Sequence, residues 1–440
     1  MKNQSHIKTV SFHTLGCKLN QSETDAIAAD FKHNGFEIVP FRSTADLTVI
    51  NTCTVTNEAD SKSRQIIRNA IKSSPQGRIV AMGCYAQINP EDLSAINGID
   101  MVLGTNEKYR LLEYITQLET KVVDKPLVYV NESGDIENYR ESEFISATGR
   151  TRAYLKIQEG CDYFCSYCII PFARGKARSR QIVECLAEAK SLVDRGYREL
   201  VLTGINIGTW QDGSNKLVDL LDSLSIIPGL DRIRISSIEP NTISDDILHL
   251  LADRPTICPH LHIPLQSGSP EVLNRMRRKY QLTEYFDLAD RIGNIVPDVA
   301  WGTDLIVGFP GETEAEFAET LAVVEQLPFS YLHIFRYSER DGTIAAKLPN
   351  RVDFHVKKKR ASILREMGAK KKQVYNRRFL NTVQPVLFEM VGKDDLVSGM
   401  TPNYIRVKIA GDESFKNKIC QVHLTKDCSN YLIGEISEQP

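Results

Sequence analysis

The chain has 440 residues, 42% of them hydrophobic, with 54 basic against 56 acidic side chains and a net charge of -2, which is enough apolar material to fill the cores of roughly two to four globular domains. No apolar run approaches the roughly 18–20 residues of a membrane span, and the opening MKNQSHIKTVSF lacks the charged-then-apolar design of a signal peptide, so no membrane is expected and the place is cytoplasmic. Thiols stay reduced in that compartment, so ten cysteines argue for metal binding or catalysis rather than a disulfide framework.

Residues 1–120 alternate short β-branched runs, TVSFHTLG, LTVINT, RIVAMG and MVLG, with polar or helix-forming segments. That rhythm predicts an α/β domain, a small parallel sheet with crossover helices. Cys17, Cys53 and Cys84 each directly follow one of these strands. Parallel strands point the same way, so the thiols gather at one sheet edge. Three isolated buried cysteines acting as small hydrophobes are the bland alternative. Equivalent positions, two of them preceded by glycine, favour a three-thiolate cluster site. Residues 121–149 are polar and irregular and read as a linker.

A longer alternation fills residues 150–372, with strands expected in AYLKIQ, ELVLTGINI, RIRISSI, HLHIPL, VAWGTDLIVG and YLHIFRY. Six βα units in a row suit a partial (βα)6 barrel better than an open two-sided sheet, although periodicity alone does not decide. Directly after the first strand stands EGCDYFCSYCIIP, whose Cys161, Cys165 and Cys168 are spaced CxxxCxxC. An iron-sulfur cubane normally takes four thiolates, so three leave one iron open for a small molecule. S-adenosylmethionine suits the gap, because its amino and carboxylate groups chelate iron. A structural zinc site is the alternative, but zinc generally takes four ligands from paired motifs, and no second CxxC or HxxxH follows nearby.

From Arg351 to Leu380 the chain carries eleven Lys or Arg against two acidic residues. Such a run is usually a solvated helix face. Ile363, Leu364, Met367, Val374 and Tyr375 would form its docked apolar side. Residues 373–440 change character, alternating like strands with turns between them, and suggest a small all-β barrel. Cys185, Cys258, Cys420 and Cys428 show no ligand spacing and read as packing residues, His260 and His262 suggest no metal, and Trp210 and Trp301 are assigned no chemistry.

CxxxCxxC with Tyr167 before the last cysteine resembles the radical S-adenosylmethionine superfamily. TLGCKLNQSETD, NTCTV and GCYAQ around the other trio resemble the N-terminal domain of its methylthiotransferases, and GMTPNYIRV resembles their C-terminal TRAM domain, an OB-like barrel that binds tRNA. The resemblance spans nearly the whole chain. It implies two [4Fe-4S] clusters, on Cys17, Cys53 and Cys84 and on Cys161, Cys165 and Cys168. It also implies two uses of S-adenosylmethionine, one to methylate a sulfur and one to yield a 5′-deoxyadenosyl radical. Both clusters would flank one pocket, with the N-terminal sheet capping the barrel mouth. Tyr167, Thr203, Gly204, Asn206, Ser236, Gln266 and Gly308 lie in segments resembling the cofactor shelf, and the glycines would let the backbone approach the ligand.

TLGCKLN and NYIRV look most like the branch acting on N6-threonylcarbamoyladenosine at tRNA position 37. An isopentenyladenosine branch would read closer to GCQMN, and a branch acting on an aspartate of a small-subunit ribosomal protein closer to GCPKN. A non-catalytic iron-sulfur RNA-binding protein is the rival from another class. The expected partners are a tRNA anticodon stem-loop, an external electron donor and a sulfur source. RGKARSR (Arg174 to Arg180), RMRRKY (Arg275 to Tyr280) and the 357–378 helix would grip phosphates, the candidates being Arg275, Arg277, Arg278, Lys357, Lys358, Lys371, Lys372, Arg377 and Arg378.

Overall fold

The computed structural model describes residues 7–119, 125–132, 150–392 and 395–438. The first unit is a six-stranded sheet of β1 (Thr9–Thr14), β2 (Glu37–Val39), β3 (Leu47–Thr52), β4 (Arg78–Gly83), β5 (Met101–Leu103) and β6 (Leu127–Tyr129), all parallel, in the order β2-β1-β3-β4-β5-β6. LTVINT in β3 is buried along its whole length, as a central strand covered on both faces must be. β2 and β3 lie on opposite sides of β1, so the crevice of the sheet opens at the C-terminal ends of β1 and β3. β6 falls inside the segment read as a linker, because Leu127 and Tyr129 pack on the sheet's core; residues 121–124 and 133–149 of that segment lie outside the described residues.

The central unit has six parallel strands, Arg152–Lys156, Glu199–Thr203, Arg232–Ile235, His260–His262, Ala300–Val307 and Tyr331–Arg336. They stand side by side in chain order. Ladders join the first three and the last three, and bridges at Ile233–Ile257 and Ser237–His262 connect the two halves. This is the partial barrel that the βα rhythm predicts. Leu155, Leu202, Ile233, Ile235, Leu261, Trp301 and Leu305 pack outward with the helices. Strand side chains alternate, so Lys156, Glu199, Arg234, His262, Asp304 and His333 share the opposite, inner face. The lumen of this barrel is therefore polar.

The helix Phe354–Arg377 closes the central unit and overruns the boundary expected at residue 372. Ile363, Leu364, Met367 and Tyr375 dock on the protein, but Val374 is 66% exposed and does not belong to that face. The chain ends in a closed five-stranded barrel in the spatial order 383–391, 396–400, 406–410, 432–438, 419–427. Arg232 and Arg234 of the third central strand fasten it, donating to the carbonyls of Met400, Pro385, Pro402 and Thr401 at 2.8–3.2 Å.

Two buried arginines join the N-terminal sheet to the mouth of the central barrel. Arg174, on the short helix Ile170–Arg174, donates to Glu23 Oε1 at 2.8 Å, Glu159 Oε1 at 2.8 Å and Asn20 Oδ1 at 2.6 Å. Lys108 Nζ completes the cluster, 2.7 Å from Glu23 Oε2. Burial alone would raise the Glu23 carboxyl, yet Arg174, Lys108 and Lys156 hold it well below the usual range. Arg340, just past the sixth strand, donates to Asp60 Oδ2 and Asn57 Oδ1 at 2.6 Å each and to Thr54 Oγ1 at 2.8 Å.

Removing one member of a buried ion cluster strands its partners, so Arg174→Ala should destabilise the protein by about 3–5 kcal/mol in thermal or denaturant unfolding. Because the Glu23 carboxyl is depressed, its share of stability is complete above the ordinary carboxylate range. It should be lost as the pH falls through that range to the lowered value.

Candidate active site

Cys161, Cys165 and Cys168 occupy the loop between the first barrel strand and the helix Ile170–Arg174, at the C-terminal face of the barrel. Burial first, and the neighbouring thiols after it, push Cys168 up to about 12; burial likewise pushes Cys161 up to about 11. Such thiols ionise only against a compensating positive charge, which a metal supplies. Arg278 is engaged here through both terminal nitrogens. Its Nη1 lies 3.3 Å from Cys165 Sγ and its Nη2 pairs with Glu239.

The other trio stands where β1, β3 and β4 end. Cys17 begins the helix Lys18–His33, Cys53 follows β3, and Cys84 begins the helix Cys84–Ile88. The side chain of buried Asn20 ties these loops together. Its Nδ2 donates to Leu15 O at 2.8 Å and Thr52 O at 3.1 Å, while its Oδ1 faces Cys17 Sγ at 3.9 Å, Cys84 Sγ at 4.0 Å and Arg174. Gly16 is needed for this gathering. It has φ +104°, and a Cβ there would stand 3.0 Å from Cys53 Sγ and 3.0 Å from Asn20 Nδ2. Burial, then the Cys84 thiol, pushes Cys53 up to about 12.

The two trios face one interface. The helix that starts at Cys84 packs against the helix that follows Cys168, and Thr105 Oγ1 donates to Ala173 O at 2.6 Å across the same seam. A cavity of about 190 Å³ is lined by Tyr167, Cys168 and Gln266 from the barrel and by Val55 and Thr56 from the loop after Cys53. Among the described residues, neither set of sulfurs is drawn as close as 4.8 Å all round. A single zinc at about 2.3 Å per bond would hold its sulfurs about 3.8 Å apart. The wider spacing fits a cluster that spreads its ligands over several irons.

Of the proposed cofactor residues, two belong to the wall of this cavity, Tyr167 and Gln266. Ser236 Oγ is buried without a hydrogen-bond partner, as a group awaiting a ligand would be. Asn206 lies beside the Tyr163 hydroxyl without a hydrogen bond of good geometry. Thr203 Oγ1 donates to Leu155 O at 3.3 Å. At Gly204 and Gly308 protein fills the place a Cβ would take: one at Gly204 would meet Ile207 at 2.7 Å, and one at Gly308 would meet Lys357 at 2.3 Å.

The basic candidates divide sharply. Arg278 is spent on Cys165 and Glu239, and Lys357 lies against Gly308 with its Nζ donating to Tyr337 O at 3.2 Å. Lys371 caps the carbonyls of Glu325 and Leu327 at 3.0 and 2.8 Å. Arg275, Arg377 and Arg378 pair with Glu316, Asp427 and Asp298 at 2.7–2.8 Å. Of RGKARSR, Arg174 is buried and Arg180 is paired with Glu188. Arg277 and Lys358 are exposed, and Lys372 lines a groove of about 280 Å³ with Arg365 and Arg406.

Sequence reasoning missed the role of Asn20 and assigned Arg278 to phosphates instead of to Cys165 and Glu239, because both roles depend on which loops the fold brings together. His260 and His262, which the spacing gave no role, belong to one face. Residues two apart in a strand share a face, and both histidines meet the Tyr331 hydroxyl, at 2.9 and 3.1 Å.

Residues 9–104 match the uncharacterized protein family UPF0004, and residues 155–324 match the radical SAM superfamily. The chain is 44% identical over 436 residues to the threonylcarbamoyladenosine tRNA methylthiotransferase MtaB of Bacillus subtilis, covering 97% of this chain and 96% of that protein. It is 36% identical to the MtaB of Thermotoga maritima, covering 98% and 97%. It is 30% identical to the tRNA-2-methylthio-N(6)-dimethylallyladenosine synthase of Clostridium perfringens over the full length of both. The solved structure of the radical S-adenosylmethionine methyltransferase TsrM from Kitasatospora setae shares the fold, with a TM-score of 0.56 at 15% identity over 77% of each chain.

The Arg278 contact to Cys165 stabilises negative charge on the sulfur. Arg278→Gln should therefore lower the reduction potential of the metal centre held there by on the order of 50–100 mV, measured by redox titration under EPR.

Proposed function

This chain belongs to the radical S-adenosylmethionine methylthiotransferase family, and we propose that it inserts a methylthio group at C2 of N6-threonylcarbamoyladenosine, at position 37 of a tRNA anticodon loop. The higher identity to threonylcarbamoyladenosine relatives than to a dimethylallyladenosine relative favours this branch. The observation that carries the reading is the pair of cysteine trios, ending parallel strands of two units and opening on one seam with a cavity lined from both sides.

Cys161, Cys165 and Cys168 would hold one [4Fe-4S] cluster and Cys17, Cys53 and Cys84 the other, each leaving a position that no cysteine of the trio fills. With S-adenosylmethionine bound, this pair supplies what no side chain has, a radical able to take hydrogen from an unactivated C2–H and a methylated sulfur to put in its place. The protein's own part is placement and exclusion of water. Tyr167, Asn206, Ser236 and Gln266 would orient the cofactor beside Cys168. Arg174, Asn20 and Arg340 fix the second trio against the first, so that a base entering the seam lies within reach of both. The loop base is unpaired and can be splayed in at modest unstacking cost.

The polar lumen suits a modified base carrying further oxygens. For the phosphates, the open charges are Arg277 and Lys358 and the groove of Arg365, Lys372 and Arg406 between the long helix and the terminal barrel. That barrel acts as the TRAM module, placed beside the groove. An external electron donor and a sulfur source complete the set of partners.

Two variants separate the trios. In reduced, reconstituted enzyme, Cys165→Ala should abolish 5′-deoxyadenosine formation, whereas Cys53→Ala should keep it and lose methylthiolation, read by mass analysis of tRNA nucleosides. Sulfur insertion by the Cys53 variant would remove the second trio from the mechanism; a wild type that forms no 5′-deoxyadenosine would favour a non-catalytic RNA-binding protein. Affinity for tRNA should fall steeply with salt, and Lys358→Ala and Arg277→Ala should each reduce the log–log slope by about 1.

A further inference from the structure

The inner face of the barrel carries a second constellation that the methylthiolation reading does not use. Asp304 Oδ1 stands 2.9 Å from His262 Nε2 and 3.3 Å from His333 Nδ1, and among the described residues these three ligand atoms are the one set of His, Cys, Asp or Glu donors lying within 4.8 Å of one another. The three side chains come from the fourth, fifth and sixth strands. Register brings them together, because Asp304 is paired with His333 and His262 with Gly302, two residues before Asp304 on the same face. We propose that His262, Asp304 and His333 form a binding site for a divalent transition metal.

Chemistry and geometry agree on this. Two imidazoles and a carboxylate are borderline ligands suited to zinc or ferrous iron. Donors bonded to such an ion at about 2.0–2.2 Å lie roughly 3–3.5 Å apart, and the separations of both imidazoles from Asp304 Oδ1 are already close to that size. The outer contacts are those a ligating histidine uses. The Tyr331 hydroxyl lies 3.1 Å from His262 Nδ1 and 2.9 Å from His260 Nε2, so with a metal on Nε2 the Nδ1–H of His262 would have that hydroxyl as its acceptor. Gly302 leaves room for that hydroxyl, since a Cβ there would stand 2.3 Å from it. His262 is buried, whereas the His333 side chain is 54% exposed, so an ion has an entry path and retains an open coordination position. Asp304 also lines the cavity beside Cys168, and His333 lines the basic groove beside the terminal barrel. The ion would thus stand between the two. With one carboxylate and two neutral imidazoles it keeps a net positive charge, so an anionic oxygen is the matched further ligand.

The test uses the full chain with both iron-sulfur clusters assembled anaerobically, so that the six cysteines are occupied. After equilibrium dialysis against buffered zinc, wild type should hold about one zinc per chain beyond its iron. His333→Ala, a change at an exposed side chain, and Asp304→Asn should lose that zinc while the iron content and the circular dichroism spectrum stay unchanged. A wild type that holds no zinc beyond iron, or a His333→Ala protein that retains it, overturns the site. Metal content is read independently of turnover, so this result stands apart from the outcome for methylthiolation.

Discussion

Arg174 is the residue on which the arrangement turns. It leaves the barrel helix that follows the CxxxCxxC loop, is fully buried, and ends on Glu23 and on the Asn20 amide oxygen, around which the sulfurs of Cys17 and Cys84 stand. Arg340 does the equivalent for the loop after Cys53 through Thr54 and Asp60. A buried ion cluster of this kind is a poor source of net stability, because desolvation offsets most of the attraction. Its geometric demand is strict, however, since each carboxylate oxygen and guanidinium N–H needs a partner in a fixed direction. Buried charge here specifies how two separately built units face each other.

That docking explains why the chemistry sits at a seam. Each unit alone presents three thiols at the C-terminal face of its parallel strands, the sheet in three separate loops and the barrel in one, where crevices of α/β folds lie. Neither has a wall opposite. Pressed together, they enclose a cavity with barrel residues on one side and the loop after Cys53 on the other. The polar lumen beneath, with its alternation of outward apolar and inward charged side chains, gives an oxygen-rich substrate groups to bind instead of a dry core.

Most of the architecture was legible because it rests on local signals. The strands that end in HTLG, VINT and VAMG are short apolar runs broken by glycine or polar turns, and the cysteines directly after them had to end up at one edge once the strands were parallel. β6 was not legible, since Leu127–Tyr129 is too short to show a period and owes its strand to pairing with β5. The fate of the basic residues was also hidden. A lysine or arginine in a list looks like a phosphate contact, yet Arg278 serves Cys165, Lys357 lies on Gly308 and Lys371 caps a neighbouring helix, all partners far away in sequence. His333 and Asp304 went unnoticed for the same reason: no spacing connects them until the fifth and sixth strands are laid side by side.

The central claim is that two three-cysteine centres share one cavity. It is tested most directly by EPR of the anaerobically reconstituted wild-type enzyme with both centres reduced. Facing centres this close should couple magnetically, giving a broadened spectrum that is not the sum of two independent signals. Two full-intensity, uncoupled spectra from a protein shown by iron analysis to hold both clusters would place the centres apart and contradict the account.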